Sequence, residues 1–180
     1  MNPFRFLKGR PLESAAQRLY DAAVRQARNP EFYENMGVPD TVEGRFELIS
    51  LHTFLILHRL KQDHDATKSL AQALVDLMFR DMDHNLREMG VGDQRVPKRI
   101  MKMAENFYGR MGVYEKGLEI VDKSLSEALR RNLFHQAKPR DMDLDHMADY
   151  IRRQSSALSK VSLECLLEGD IGFWGPSSGP

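Results

Sequence analysis

Val42-Glu43-Gly44-Arg45-Phe46-Glu47-Leu48-Ile49-Ser50-Leu51-His52-Thr53-Phe54-Leu55-Ile56-Leu57-His58-Arg59-Leu60 decides the fold. Its apolar residues cover most of the circumference of a helix, so a helix running from Val42 to about Gln62 has to lie at the centre of the molecule. Thr41 stands where a helix N-cap is wanted, just after Val38-Pro39-Asp40 resets the chain. The longest uninterrupted apolar run, Phe54 to Leu57, is far short of the ~20 residues that span a bilayer.

Helical periodicity continues on both sides, and no sustained alternation argues for strands. Leu12, Ala16, Leu19 and Ala23 predict a helix from Pro11 to about Arg28, followed by a short turn from Pro30 to Met36 that ends at Gly37. A polar break at Asp63-His64-Asp65 precedes a helix from Ala66 to Met89, closed by Gly90. The next runs from Arg95 to Met111, where Gly109 and Gly112 weaken its end. Leu118, Val121, Leu125, Leu129 and Leu133 then form one stripe between Tyr114 and Gln136, with a break near Asp122 to Ser124. A last helical pair covers Asp143 to Leu167. The reading is a single all-α domain of seven to nine helices over residues 11–168, with a basic, aromatic arm at 1–10 and a Gly- and Pro-rich tail at 169–180. Phe173 and Trp174 are expected to pin that tail into a groove.

The chain has 180 residues, with 26 basic and 26 acidic side chains and a formal net charge of zero. With 42% hydrophobic and 29% charged residues it has enough apolar material for a packed core and too much for a disordered chain. The single Cys165 offers no disulfide and sits among leucines, where a buried, inert thiol is expected; a reducing compartment follows. No stretch near the start has the apolar core of a secretory signal. A cytoplasmic location is expected, with Phe4, Phe6, Leu7 and their basic neighbours able to touch the inner face of the membrane.

Polar residues out of pattern mark candidate sites. Asp81 and Glu88 fall on the meridian of Leu70, Leu74 and Leu77. Either the inward face turns toward Met78, Met82, Leu86 and Met89, or these acids are partly buried and paired with Arg45, Arg99 or Arg110; pairing of at least one is favoured, because a buried unpaired carboxylate costs several kcal/mol. Arg95, Lys98, Arg99 and Lys102 stack four positive charges on one helix face, next to residues 61–93 with 4 positive and 7 negative side chains. That stripe is either a solvated face answering its acidic neighbour or a docking face for RNA, headgroups or an acidic partner. Asp81-x-x-His84 and Asp143-x-x-His146, with Glu47 and Glu105 or Glu119, mimic the ligand order of a di-metal carboxylate bundle. Asp stands where the longer Glu is usual there, and helix capping accounts for Asp143. Asp141-x-Asp143-x-Asp145 fails as a calcium loop, since His146 replaces the glycine at the sixth position. No phosphate loop or nucleophile elbow is present. Six of ten methionines, Met78, Met82, Met89, Met101, Met103 and Met111, fall in two consecutive helices; core filling is the expected role for most.

Gly44 to His52, Asp81-Met82-Asp83 through Leu86-Arg87-Glu88-Met89-Gly90-Val91-Gly92-Asp93, and Phe107-Tyr108-Gly109-Arg110 together resemble the ubiquinol-cytochrome c chaperone family. The resemblance extends over about residues 30–175, through Tyr150-Ile151-Arg152-Arg153-Gln154 and the tail. It implies a non-enzymatic, all-helical assembly chaperone that needs no cofactor and no DNA, and that holds newly made cytochrome b during biogenesis of the cytochrome bc1 complex. Mitochondrial members act with a small partner protein and near the ribosomal tunnel exit; this chain lacks their long targeting extension and is similar to shorter bacterial members. Asp81, Asp83, Arg87, Glu88, Asp93, Lys98, Tyr108, Arg110 and Tyr114 are then the expected client-binding surface or its supporting network. Met89 and Val91 would form an apolar knob on it. Gly90 and Gly92 would shape the turn, and valine at both is expected to disrupt it.

Overall fold

Val42–Leu60 forms the predicted central helix in the computed structural model, which describes residues 9–120, 123–135 and 137–177. Around it, in chain order, stand α1 (Arg10–Ala27), α2 (Glu31–Glu34), α3 (the central helix, Val42–Leu60), α4 (His64–Glu88), α5 (Val96–Glu119), α6 (Ser124–Arg131), α7 (Asp141–Ser159) and α8 (Leu163–Glu168). The described residues contain no strand. Thr41 caps α3 as expected, its hydroxyl accepting a hydrogen bond from the Gly44 N–H at 3.0 Å.

Only Val42, Glu43, Arg45, Ile49 and His58 of α3 escape full burial. One side of α3 packs Leu48, Leu51 and Leu55 against Phe32 of α2, Leu125 and Leu129 of α6 and Met147, Tyr150 and Ile151 of α7. The other packs Ile56 and Leu60 against Leu19 and Ala23 of α1 and Leu70, Leu74 and Met78 of α4. Each fully buried leucine or isoleucine contributes about 1.5–3 kcal/mol, so the helix that separates two cores stabilises both.

Two expectations are corrected. First, α5 does not stop near Met111 but runs on to Glu119, so the separate helix expected from Tyr114 is divided between the end of α5 and α6. Tyr114 and Gly117 are buried. A Cβ on Gly117 would stand 3.0 Å from Leu125 of α6, and this close packing outweighs the weak propensity of the exposed Gly109 and Gly112. Val121 lies outside the described residues, as do residues 1–8 of the N-terminal arm and 178–180 of the tail. Second, Cys165 is a partly exposed free thiol rather than a buried one.

The tail returns as a strap across α1, α3 and α7. Gln154 grips the Trp174 backbone at both ends, accepting from its N–H at 3.1 Å and donating to its carbonyl at 3.0 Å. Gln26 donates to the same carbonyl at 2.8 Å, and Arg153 to the Pro176 carbonyl at 2.8 Å. The Phe173 ring meets the buried His52 ring edge-on at 5.1 Å. Phe173 is therefore the pin, while Trp174 stays 43% exposed. His52 bridges helices, its Nδ1 bonded to the Leu48 carbonyl and its Nε2 to the Tyr150 hydroxyl, each at 2.7 Å.

Candidate functional site

A groove of about 320 Å3 opens where the end of α1, α2, the first half of α3 and the facing ends of α4 and α5 fail to close on one another. Its floor is apolar: Phe46 and Ile49 from α3, Met82 and Leu86 from α4, and Met103 from α5. Its two rims carry Val42 and Met89, which are 56% and 50% exposed. Large apolar side chains standing in water on both sides of an apolar trough mark a binding surface rather than a core.

One end of the groove is cationic. Arg28 follows α1 there, and the Arg45 guanidinium lies 5.8 Å from the centre of the Tyr33 ring while bonded to Asp40 at 2.6 Å. That bond to Arg45 holds the Asp40 carboxyl below its ordinary pKa. Tyr33 is anchored in turn, its hydroxyl donating to the Ala27 carbonyl at 2.7 Å. At the other end Asn85 and Glu88 line the groove beside Met89.

The candidates around the Gly90 turn serve this groove in different ways. Asp81 is half-buried and accepts hydrogen bonds from the Tyr20 hydroxyl at 2.7 Å and from Asn85 at 3.1 Å. Its partners are thus a tyrosine and an amide, not one of the expected arginines, and it orients Asn85 toward the groove. Burial, reinforced by this bond, raises the Tyr20 pKa. Glu88 is exposed, and Arg45 is occupied by Asp40, so the inward face of α4 does turn to Met78, Met82 and Leu86. Arg87 bonds Asp83 at 2.6 Å and Asp93 at 2.6 Å, tying the last turn of α4 to the segment entering α5. The hydrogen bond from Arg87 lowers the Asp83 pKa. Val91 is half-buried, whereas Lys98 and the 54%-exposed Tyr108 lie out on α5. Tyr114 is no surface residue: it is buried, its ring 5.6 Å from that of Phe54, and burial raises its pKa.

Arg110 has a different partner from the one expected, the buried Glu47 of α3. Burial lifts the Glu47 pKa above its ordinary value, with Arg110 opposing the shift. Asp143, held by Arg140, supports the start of α7. With these acids engaged separately, no group of three or more metal-binding side chains forms among the described residues.

The turn uses its glycines unequally. Gly90 has φ 78°, whereas Gly92 does not adopt a positive φ. Gly90→Ala should therefore cost about 1 kcal/mol and Gly92→Ala almost nothing, as read by the urea midpoint. Valine at both positions should act through residue 90 alone.

Sequence reasoning missed half of the groove. Arg28, Tyr33, Val42, Phe46 and Ile49 carry no local signal that they converge with α4. The methionine cluster was the available clue, since Met82, Met89 and Met103 all line the groove.

Helical without strands over its described residues, and open along one apolar trough, the fold has the form of a binding scaffold, and no described helix is long and apolar enough to cross a membrane. The chain belongs to the ubiquinol-cytochrome C chaperone family, whose profile matches residues 34–173. It is similar to ubiquinol-cytochrome-c reductase complex assembly factor 1 of Xenopus laevis, 30% identical over 166 residues that cover 92% of this chain and 82% of that protein. The Mus musculus assembly factor 1 is 30% identical over 97% of this chain and 59% of its own length. Protein CBP3, mitochondrial, of Saccharomyces cerevisiae is 30% identical over 81% of this chain, which spans 44% of the yeast protein. The crystal structure of the Cbp3 homolog from Brucella abortus matches the fold with a TM-score of 0.84 at 39% identity, over 94% of each chain.

Proposed function

We propose that this chain is a non-enzymatic assembly chaperone for ubiquinol-cytochrome c reductase, the cytochrome bc1 complex, and that its client is newly made cytochrome b. Family membership supports the assembly role, and the apolar groove rimmed by Val42 and Met89 is the observation that carries the binding role. A trough of this size accepts the apolar side chains of one face of a helix, and methionine side chains adapt to sequences that differ in detail. Arg28 and Arg45 at one end would favour a segment with an acidic residue placed there. A cytoplasmic site of action, at the inner face of the membrane that receives the client, belongs to the same proposal.

The test is a mild-detergent pull-down of the tagged chain from its own cells, read by mass spectrometry. Cytochrome b should be enriched, and Val42→Asp with Met89→Asp should reduce the enrichment at least about tenfold while the helical signal is unchanged, because both positions are exposed. Undiminished capture by the folded double variant would remove the groove from the binding surface. Absence of cytochrome b from the wild-type pull-down would refute the client.

A further inference from the structure

The first two turns of α5 are built against their own electrostatics. Arg95, Lys98, Arg99 and Lys102 are all exposed, and no acidic residue lies in the first turn. Cations at a helix N-terminus oppose the macrodipole, and like charges at i, i+3 and i, i+4 repel one another. Neighbouring acids do little to relieve this. Lys102 reaches Glu105 at 3.1 Å, Asp93 is engaged by Arg87, and Glu88 lines the groove. Arg95, Lys98 and Arg99 form no ion pair among the described residues.

Exposed apolar side chains share this corner. Met101, between Lys98 and Lys102 in sequence, is 64% exposed, more than any other large hydrophobic residue described. Met89 is 50% exposed at the other end of the connection into α5, which also carries the half-buried Val91. Cations and unburied methionines on one corner call for a surface that is anionic outside and apolar just beneath.

We infer that the α4–α5 corner docks on anionic phospholipid, with Arg95, Lys98, Arg99 and Lys102 on the headgroups and Met101 entering the acyl boundary. A nucleic acid would meet the cations and leave the methionines in water, whereas a bilayer interface takes both. Because Met89 belongs to both the corner and the rim of the groove, docking in this way sets the mouth of the groove beside the membrane surface. A segment of a membrane-inserted protein would emerge at that level.

Vesicle co-sedimentation tests the inference independently of any client. The chain should pellet with vesicles of phosphatidylcholine mixed with phosphatidylglycerol and not with phosphatidylcholine alone, and rising salt should release it. Arg95→Gln with Arg99→Gln should weaken partitioning about 25-fold, at about fivefold per charge removed. Met101→Ser should weaken it several-fold at unchanged charge. All three positions are exposed, so the variants should keep the wild-type helical signal and melting temperature, which are measured alongside. Failure of the wild type to bind the anionic vesicles at low salt overturns the inference. Equal binding by the folded arginine variant does so too. So does a Met101→Ser variant that binds vesicles undiminished while a short RNA displaces the protein from them, which would make the corner a nucleic-acid face.

Discussion

Arg110→Ala should lower the stability of the fold by about 3–5 kcal/mol at pH 7, the cost of leaving a buried charge without its partner. Glu47 is 6% exposed on a helix that is otherwise almost entirely sealed, and Arg110 is its ion-pair partner from α5. Burial already lifts the Glu47 pKa above its ordinary value of 4.5, and losing Arg110 removes the main opposing influence. In the variant the Glu47 pKa should therefore rise further. A carboxyl whose pKa is raised by folding binds more protons in the native state, so stability falls as pH rises through the range between its unfolded and folded values. The deficit of Arg110→Ala should accordingly be smaller at pH 5 than at pH 7. Adding Glu47→Gln, which removes the charge and keeps the shape, should recover much of the loss. Urea midpoints of the four proteins in this cycle, at both pH values, provide the measurement. A deficit below about 1 kcal/mol, or one independent of pH, would mean that water reaches Glu47.

A second large effect sits on the opposite flank of α3. His52 is fully buried, and desolvation lowers its pKa from 6.5 to about 4, with the bond to the Leu48 carbonyl opposing. The folded protein thus keeps this imidazole neutral where the unfolded chain protonates it. Stability from His52 is complete above pH 6.5 and is lost as pH falls from there toward 4, to a total of about 3 kcal/mol. Glu47, whose pKa is raised by folding, contributes with the opposite sign, so the two are separated by substitution. His52→Phe should flatten the pH dependence of the urea midpoint between pH 6.5 and 4, at some cost in absolute stability from the hydrogen bonds removed. A slope unchanged from the wild type would show that other groups carry the acid sensitivity. Because Phe173 rests on His52, acidification should loosen the strap first. An exposed Trp174 makes that visible as a change in fluorescence before the global transition.

How far the sequence reveals this molecule depends on whether a signal is local. The Val42–Leu60 helix was legible because its own apolar residues leave no face for solvent, and Thr41 because capping is decided within four residues. The end of α5 was not, because the burial that holds Tyr114 and Gly117 comes from α6, across a connection. Asp81 could be recognised as out of pattern, yet its partner Tyr20 lies on a helix whose placement the sequence does not display. The same holds for Glu47 and Arg110, which are 63 residues apart. The groove is the extreme case: it exists only where α1, α3, α4 and α5 leave a gap, so no single segment announces it. The basic stripe was legible as a pattern, and its exposure came from the fold.

The C-terminal strap has a further consequence for how the protein is made. Gln26, near the start of the chain, reaches the carbonyl of Trp174 across 148 residues, and Arg18 reaches that of Glu168 across 150 at 2.6 Å. Ile171 and Phe173 of the strap pack against both cores at once. During synthesis, every element that lines the groove has left the ribosome well before the residues that fasten α1 in place. A nascent copy would therefore show its groove on an unfinished scaffold, and contacts this distant in sequence close late. Arrival of the strap, rather than completion of the groove-lining helices, is then the step that fastens α1.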